Sequence, residues 1–170
     1  MEIETGSIFK PHFSYNKNKV PKTLNDLAQK IKKADGYIMV SPEYNHCISP
    51  ALADLLNHFG SSLFSYKPSS IVTYSAGQWG GSRASIPMIA FLSELCCLPV
   101  SAMIHIPKAH EVFLDNGELI NDSSSWSDYL GRSFLQLQWW AQAASDLKHK
   151  INPQKMTSAM LKDPSQRNAP

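Results

Sequence analysis

The sequence predicts an α/β protein of three layers, α/β/α, in which helices cover both faces of a parallel sheet. Two apolar runs, "YIMVS" at 37–41 and "SIVTYS" at 70–75, do not alternate with polar residues, which predicts strands covered on both faces. Amphipathic segments separate these runs, and this alternation favours right-handed parallel crossovers. The 170 residues predict one domain over 1–151 and a disordered polar tail over 152–170.

The composition limits the classes of function. Apolar residues make up 43% of the chain and charged residues 18%, as in soluble globular proteins. The net charge of +2 gives no reason to expect a nucleic-acid partner. No apolar run approaches the length of a membrane span and no secretory signal is visible, so we expect a cytoplasmic protein without a membrane partner. The three cysteines lack zinc spacing, so no metal site is expected.

The first two helices are predicted from their capping residues. Thr23 precedes an apolar stripe and would cap a helix that ends before Gly36. Ser49 offers a hydroxyl cap, and Pro50 needs no backbone N–H at the first helical position. A second helix is therefore expected to begin at this pair and to end at Gly60.

The second half of the chain continues the alternation. Residues 83–97 predict a helix, which tolerates Pro87 only near its first turn. Residues 99–106 predict a third strand, and the Asn-Gly pair within 111–122 predicts a hairpin. A long amphipathic helix is then expected from about 126 to 151.

Two polar loops follow the first two predicted strands. Ligands of open parallel sheets bind beyond the carboxyl ends of the strands, and successive strands are usually neighbours, so both loops would flank one crevice. Glycines let the backbone approach a flat ligand, while aromatic, amide and guanidinium groups suit an aromatic ring with polar edges. The candidate binding residues are Pro42, Glu43, Tyr44 and Asn45 in the first loop and Ser75, Ala76, Gly77, Gln78, Trp79, Gly80, Gly81 and Arg83 in the second.

Each loop alone also fits a plainer interpretation. Pro-Glu-Tyr-Asn is made of residues common in turns, and a single glycine-rich loop is a weak signal. His46 and Cys47 are adjacent in sequence, and adjacent side chains rarely converge on one metal ion. Ser75, Ser82 and His105 are too scattered to predict a hydrolase triad, and no Gly-x-Ser-x-Gly elbow is present. The pairing of the loops, one strand apart, is what favours a binding site.

The stretch at 34–60, "ADGYIMVSPEYNHCISPALADLLNHFG", resembles the signature of the NADPH-dependent FMN reductases. These are flavodoxin-like proteins that include azoreductases, chromate reductases and quinone reductases. Lys67-Pro68 before the next strand, "YSAGQWGGSRA" at its end and the later Leu-Pro-Val fit the same family. The resemblance covers residues 22–148 and implies a flavodoxin-like fold.

The resemblance implies an FMN-dependent NAD(P)H oxidoreductase with FMN and NADPH as cofactors. By position, Pro42–Asn45 would contact the flavin ring and ribityl chain, and the loop Ser75–Gly81 with Arg83 would border the isoalloxazine. Because the flavin carries the chemistry of hydride transfer, no catalytic side chain is expected. The family also implies a small-molecule electron acceptor (a quinone, azo compound, metal oxyanion or flavin) and a homodimer or homotetramer.

The N-terminal residues depart from the family pattern. In the family, a first strand leads into a Gly-Ser-x-Arg-like loop that wraps the FMN phosphate. Gly6-Ser7 has neither an adequate strand before it nor an amphipathic helix after it. The sequence therefore predicts an N-terminal truncation, with the first strand and helix missing, an exposed edge at 37–41 and a phosphate without its backbone cradle. A truncated gene model, a splice form and a divergent protein all fit this pattern.

Two other functions remain open. A truncated, FMN-deficient family member with no turnover would act as an interaction protein through its exposed edge. A one-electron carrier of the flavodoxin type fits less well, because flavodoxins are usually strongly acidic and this chain has a net charge of +2.

Overall fold

The computed structural model describes residues 10–120 and 124–156, which form a parallel sheet between two helical layers. The central strand β2 pairs with β1 on one side and with β3 and then β4 on the other, always in parallel. The predicted three-layer α/β fold is therefore confirmed. The strands are β1 Tyr37–Pro42, β2 Pro68–Tyr74, β3 Leu98–Pro99 and β4 Ile104–Ile106.

Helices lie on both faces of this sheet. The larger core lies between the sheet and α1 to α4, and a smaller core lies between the sheet and the last two helices. No helix within the described residues is both long enough and apolar enough to cross a membrane. The helices are α1 Lys22–Lys33, α2 Pro50–Asn57, α3 Ser61–Phe64, α4 Ser82–Glu94, α5 Ala109–Val112 and α6 Ser124–Lys150, with short 3-10 helices at His12–Ser14, Lys17–Lys19 and Pro153–Lys155.

The capping predictions have different outcomes. Ser49 caps α2 as predicted, because its Oγ accepts a hydrogen bond from the Leu52 N–H at 3.2 Å. The prediction for Thr23 is wrong, since Pro21 occupies the N-cap position and its fixed φ already turns the chain into α1. Gly60 does not end α2 but stands at the N-cap of α3, a helix that the sequence did not indicate.

The predicted strand at 99–106 is interrupted, because side chains of α6 form hydrogen bonds with part of its main chain. The Ala102 N–H donates to Gln136 Oε1 at 2.8 Å, and Ser133 Oγ donates to the Ala102 carbonyl. These bonds replace sheet bonds, so β3 and β4 are separate strands beside β2.

Of the predicted hairpin at 111–122, the structure describes residues 111–120, which form one antiparallel bridge, between Phe113 and Leu119. The first predicted arm is partly consumed by α5, while Gly117, at a φ of 87°, makes the turn. Residues 152–156 include the last 3-10 helix, whereas the rest of the predicted tail and Gly6-Ser7 lie outside the described residues.

Lys67 anchors the amino end of β2. Its Nζ lies 2.8–3.0 Å from the carbonyl oxygens of Ile31, Lys32 and Leu63 and from the Tyr37 hydroxyl. These bonds satisfy carbonyls at the C-terminal ends of α1 and α3, which have no partner within their own helices. Burial lowers the pKa of the Lys67 ammonium to about 8, and the nearby Lys148 acts in the same direction.

Candidate functional site

Glu43 joins the two candidate loops at the carboxyl edge of the sheet. Its N–H donates to the Tyr74 carbonyl at 3.0 Å, which places the start of the first loop beside the end of β2. Its carboxylate accepts the Arg83 N–H at 3.1 Å and lies 3.7 Å from the Arg83 guanidinium. The structure thus brings Pro42–Asn45 and Ser75–Arg83 together along one edge.

The Glu43 carboxylate already has partners within the protein, the N–H and the guanidinium of Arg83. It is nearly buried and lies at the N-terminus of α4, where unpaired N–H groups and the helix dipole favour negative charge. This arrangement gives Glu43 a role in fixing the loops. The ring contact that the resemblance implied for Glu43 stays a prediction.

The tip of the first loop is a tight turn. Asn45 and His46 both have positive φ, 51° and 62°, and Tyr44 and Cys47 exchange main-chain hydrogen bonds of 3.0 and 2.9 Å across them. This pattern matches the two-residue turns that reverse a chain abruptly, and Asn tolerates the left-handed conformation. The turn leaves the Tyr44 side chain 58% exposed, which presents an aromatic surface at the site.

The second loop is fixed by the segment that follows β4. The Ser75 N–H donates to the Ile106 carbonyl, the Lys108 N–H donates to the Gly77 carbonyl, and the Ala109 N–H donates to the Ser75 carbonyl, at 3.0–3.2 Å. Sequence reasoning missed this third wall of the site. The signal was the third apolar run, since the carboxyl end of a strand beside β2 must lie next to the same loop.

Gly80 and Gly81 let the second loop fold against the strands. Both have positive φ, 59° and 75°. A Cβ on Gly80 would lie 2.8 Å from the main-chain nitrogens of Ile106 and Pro107, and one on Gly81 would lie 2.9 Å from the Tyr74 carbonyl oxygen. Gly77 differs, because its nearest neighbour would be 3.9 Å away and its surroundings stay open to a ligand.

Thr73 and His105 support Gly80 from inside. Thr73 Oγ1 donates to the Gly80 carbonyl at 2.9 Å and therefore accepts from His105 Nδ1–H at 2.7 Å. Burial lowers the pKa of the His105 imidazole, which favours its neutral form. Sequence reasoning did not assign either side chain to the site, and the structure gives them a positioning role.

The groups that remain open are aromatic surfaces and main-chain donors. In residues 10–120 and 124–156, the N–H groups of Ala76, Gly77 and Gln78 form no hydrogen bond, and all three residues are exposed. The Trp79 side chain is 59% exposed, and the Arg83 guanidinium lies 5.9 Å from the centre of its ring. The loop therefore presents donors, an aromatic ring and a positive charge to solvent.

A groove of about 660 Å³ lies at the opposite end of the sheet. Its walls are mostly apolar and include Tyr66, Leu98, Trp140 and Leu147. This groove borders the amino ends of β2 and β3, whereas ligands of open parallel sheets bind at the carboxyl ends. The loops at the carboxyl edge are therefore the better candidate for a cofactor site.

The open groups fit the ring end of a flavin. A flat ring with carbonyl and nitrogen acceptors at its edge matches unpaired N–H donors beside exposed aromatic side chains. The phosphate end has no equivalent cradle in the described residues, where β1 is the first strand and α1 precedes it. The predicted absence of the first strand and helix stays a prediction.

The fold and the paired loops define a flavodoxin-like α/β protein with two candidate binding loops at the carboxyl edge of its sheet. Residues 3–111 match the family described as NADPH-dependent FMN reductase. The chain belongs to this family, as the loop sequences predicted.

Curated relatives carry names of several reductases. The chain is 34% identical over 110 residues to the NADH:(hydroxy)cinnamate reductase subunit CrdA of Vibrio ruber, covering 62% of this chain and 54% of that protein. It is 30% identical over 93 residues to the NADPH azoreductase of Bacillus sp. strain OY1-2, covering 55% of this chain and 51% of that protein. It is 29% identical over 123 residues to a quinone reductase of Pseudomonas putida, covering 68% and 61%. The chain thus spans about half to three fifths of the length of these relatives.

A solved structure confirms the flavodoxin-like fold. FerB from Paracoccus denitrificans, a flavoenzyme NAD(P)H:(acceptor) oxidoreductase, aligns with a TM-score of 0.62 at 17% identity. The alignment covers 78% of this chain and 76% of FerB. At this identity the likeness concerns the fold alone.

Proposed function

We propose that this chain binds the ring of FMN between its two loops and uses it as an FMN-dependent NAD(P)H oxidoreductase. The observation that carries the proposal is the link from Glu43 to Arg83, which holds the loops side by side at the carboxyl edge. Family membership supports the cofactor, and the open donors and aromatic rings support the place where it binds.

The chain's own residues bind and orient the ring. Tyr44 and Trp79 offer aromatic surfaces, and the N–H groups of Ala76 to Gln78 can donate to acceptors on the ring edge. Arg83 adds a positive charge beside Trp79. Bound FMN would supply the centre that accepts hydride from NAD(P)H and passes the electrons on. No protein acid, base or nucleophile is needed for hydride transfer.

Reconstitution tests this proposal. The purified chain is mixed with FMN, freed of unbound flavin and examined by absorption spectroscopy, and NADPH is then added without oxygen. We expect a bound flavin spectrum that bleaches with NADPH. A chain that retains no flavin from high micromolar FMN would contradict the proposal.

A matched pair of tryptophans locates the bound ring. Trp79 lies on the second loop and Trp139 lies on α6, and the two residues are similarly exposed, at 59% and 63%. We expect Trp79→Ala to weaken FMN binding by about two- to tenfold, since a stacked aromatic contact contributes about 0.5–1.5 kcal/mol. Trp139→Ala should leave FMN binding unchanged.

The electron acceptor, the oligomer and the compartment are further proposals. A quinone, azo compound, metal oxyanion or free flavin each suits an open ring face, and two relatives are named for azo and quinone reduction. A cytoplasmic homodimer or homotetramer follows the family resemblance. Steady-state assays with a quinone and an azo dye, each with NADH and NADPH, would rank acceptors and donors.

A second candidate function is an interaction protein without turnover. The exposed apolar side chains Ile38 and Val40 on β1 favour it. It would be preferred if the chain binds a protein partner but no flavin.

A further inference from the structure

The outer side of α6 carries a stripe of exposed side chains that recurs every three or four residues. The inner side of the helix is fixed by Ser133, which is buried and hydrogen-bonds Ser70 of β2. Every residue of the stripe is exposed, and residues at this spacing lie along one side of a helix. This outer stripe consists of Asp128, Arg132, Leu135, Trp139, Gln142, Asp146 and Lys150.

The centre of the outer stripe is apolar. Leu135 and Trp139 lie one helical turn apart and are 67% and 63% exposed. The ring of Trp139 also packs edge-on against Trp140, with 4.7 Å between the ring centres. Tryptophan is enriched among the residues that contribute most to protein–protein contacts, so this centre suits the middle of an interface.

The charges on either side of this centre are complementary to one another. Arg132 and Asp146 have opposite charges and lie seven residues before and seven residues after Trp139. Asp128 and Lys150 also have opposite charges and lie eleven residues before and eleven residues after it. Each half of the outer stripe is therefore the charge complement of the other half when the direction of the helix is reversed.

The charged groups of the outer stripe are available for such a contact. Within residues 10–120 and 124–156, none of the four forms an ion pair. The Asp146 carboxylate accepts one hydrogen bond from Gln142, at 2.8 Å, and the Arg132 guanidinium lies 5.6 Å from the centre of the Tyr129 ring. These neutral neighbours leave all four charges uncompensated.

We propose that the outer stripe is a contact between two copies of this chain, whose α6 helices pair antiparallel about a two-fold axis at Trp139. Such an axis brings each position before Trp139 next to the position equally far after it. Arg132 would then face Asp146 of the second copy, Asp128 would face Lys150 of the second copy, and each pair would form twice. This inference rests on the homodimer proposed above and not on flavin binding, so the failure of either proposal leaves the other standing.

The charges favour the antiparallel direction. In a parallel pair about a two-fold axis, each charge of the outer stripe would meet the same charge of the second copy and be repelled. The alternating spacing of three and four residues matches helices that cross at a small angle, about 20°. Because exposed ion pairs contribute little affinity, Leu135 and Trp139 would supply most of the binding energy, and the charges would set direction and register.

Neither charge pair can form within one copy. Arg132 and Asp146 are about 21 Å apart along the helix, and Asp128 and Lys150 are about 33 Å apart. The last described residue, Met156, lines the apolar groove beside β2 and β3, so the described chain leaves α6 on the side of the sheet. The complementary charges therefore point to a second copy of α6.

Cross-linking of the full wild-type chain tests the proposal. Sedimentation velocity over a range of chain concentrations measures the dimer, and a carbodiimide then joins carboxylates to adjacent amines without a spacer. We expect a dimer whose fraction rises with concentration, and peptide mass spectrometry should find an amide between Asp128 and Lys150. Because these residues are about 33 Å apart in one copy, this link must join two copies.

Charge exchange locates the contact. We expect Arg132→Glu and Asp146→Arg each to weaken the dimer by at least about tenfold, because each places like charges opposite one another twice. The double variant Arg132→Glu/Asp146→Arg restores opposite charges and should dimerise within about threefold of the wild type. Lys19→Glu, a charge reversal at an exposed residue outside α6, is the matched control and should dimerise as the wild type does.

Three results would overturn the proposal. The first is a wild-type chain that stays monomeric at every concentration, as it would if its own residues covered the outer stripe. The second is a dimer without the link between Asp128 and Lys150. The third is a double variant that dimerises no better than the single variants. Circular dichroism checks that each variant folds, and the cross-link in the wild type decides the test if a variant does not.

Discussion

The two ends of the sheet use buried polar groups in opposite ways. At the amino end, Lys67 gives its hydrogen bonds to helix carbonyls and a tyrosine hydroxyl, and the surface around it is an apolar groove. At the carboxyl end, Glu43 and Thr73 fix two loops, but the groups that these loops present, including Trp79, stay open. A buried polar group that hydrogen-bonds only to neighbouring protein groups stabilises the fold. A buried polar group that fixes a loop with open groups also holds those groups in place for a ligand.

The largest effect on stability is expected at the amino end. Lys67→Met leaves the carbonyls of Ile31, Lys32 and Leu63 without this donor, so we expect the free energy of unfolding to fall by about 3 kcal/mol. Flavin affinity should not change. The measurement is urea denaturation, with Lys148→Met from the same groove as the control, where a change below about 0.5 kcal/mol is expected. Equal losses in both variants would show that the hydrogen bonds of Lys67 do not anchor the amino end of the sheet.

Gly80→Ala tests the anchor of the second loop. The added Cβ meets main-chain atoms at 2.8 Å and the φ of 59° strains any other residue, so we expect a loss of about 2 kcal/mol in unfolding free energy. Because the loop must shift, flavin affinity should also fall by at least about tenfold. Gly77→Ala is the matched control for stability alone, since a Cβ fits there without a close protein contact, whereas Gly77 itself belongs to the proposed ring site. A Gly80→Ala variant with wild-type flavin affinity would show that the loop does not bind the ring.

Local sequence patterns predicted the parts of the fold that depend on neighbouring residues. The Ser49-Pro50 start of α2, both long strands and the two polar loops at their carboxyl ends follow from capping and from continuous apolar runs. The loop sequences also carried the family resemblance.

Distant side chains decided the remaining parts. The strand at 99–106 is interrupted because Gln136 and Ser133, more than thirty residues away, bond Ala102. Glu43 was predicted to contact a ligand, which stays a prediction, but its contact with Arg83 at the N-terminus of α4, forty residues along the chain, was not predicted. No local pattern predicts partners at such separations, since only the folded chain brings them together.

Glu43→Gln tests the link between the loops with a smaller effect. The amide still accepts from the Arg83 N–H, but the charge beside the guanidinium and the helix N-terminus is lost. We expect the free energy of unfolding to fall by about 1 kcal/mol, measured by urea denaturation. Glu111→Gln is the control, because its pair with Lys108 is exposed and should contribute little. Identical small changes in both variants would argue against a link that depends on charge.

The pH dependence of stability tests the neutral His105. An unfolded histidine has a pKa near 6.5, and burial lowers the pKa of His105 in the fold. As the pH falls below 6.5, His105 binds a proton in the unfolded chain before it does so in the folded chain. The contribution of neutral His105 to the free energy of unfolding is therefore complete above pH 6.5 and falls as the pH drops toward the folded pKa. Urea denaturation at pH 7.5 and 5.5 measures how much unfolding free energy is lost on acidification. We expect this loss to be smaller in His105→Gln than in the wild type. An equal loss would mean that His105 is not held neutral.

A titration of flavin fluorescence with the purified chain tests the proposed ring site most directly. FMN and riboflavin share the ring, so both should bind if the two loops hold the ring. We expect the fluorescence of both flavins to be quenched, and Trp79→Ala to weaken the binding of both by about two- to tenfold. No quenching at high micromolar flavin, or wild-type affinity in Trp79→Ala, would contradict the ring site.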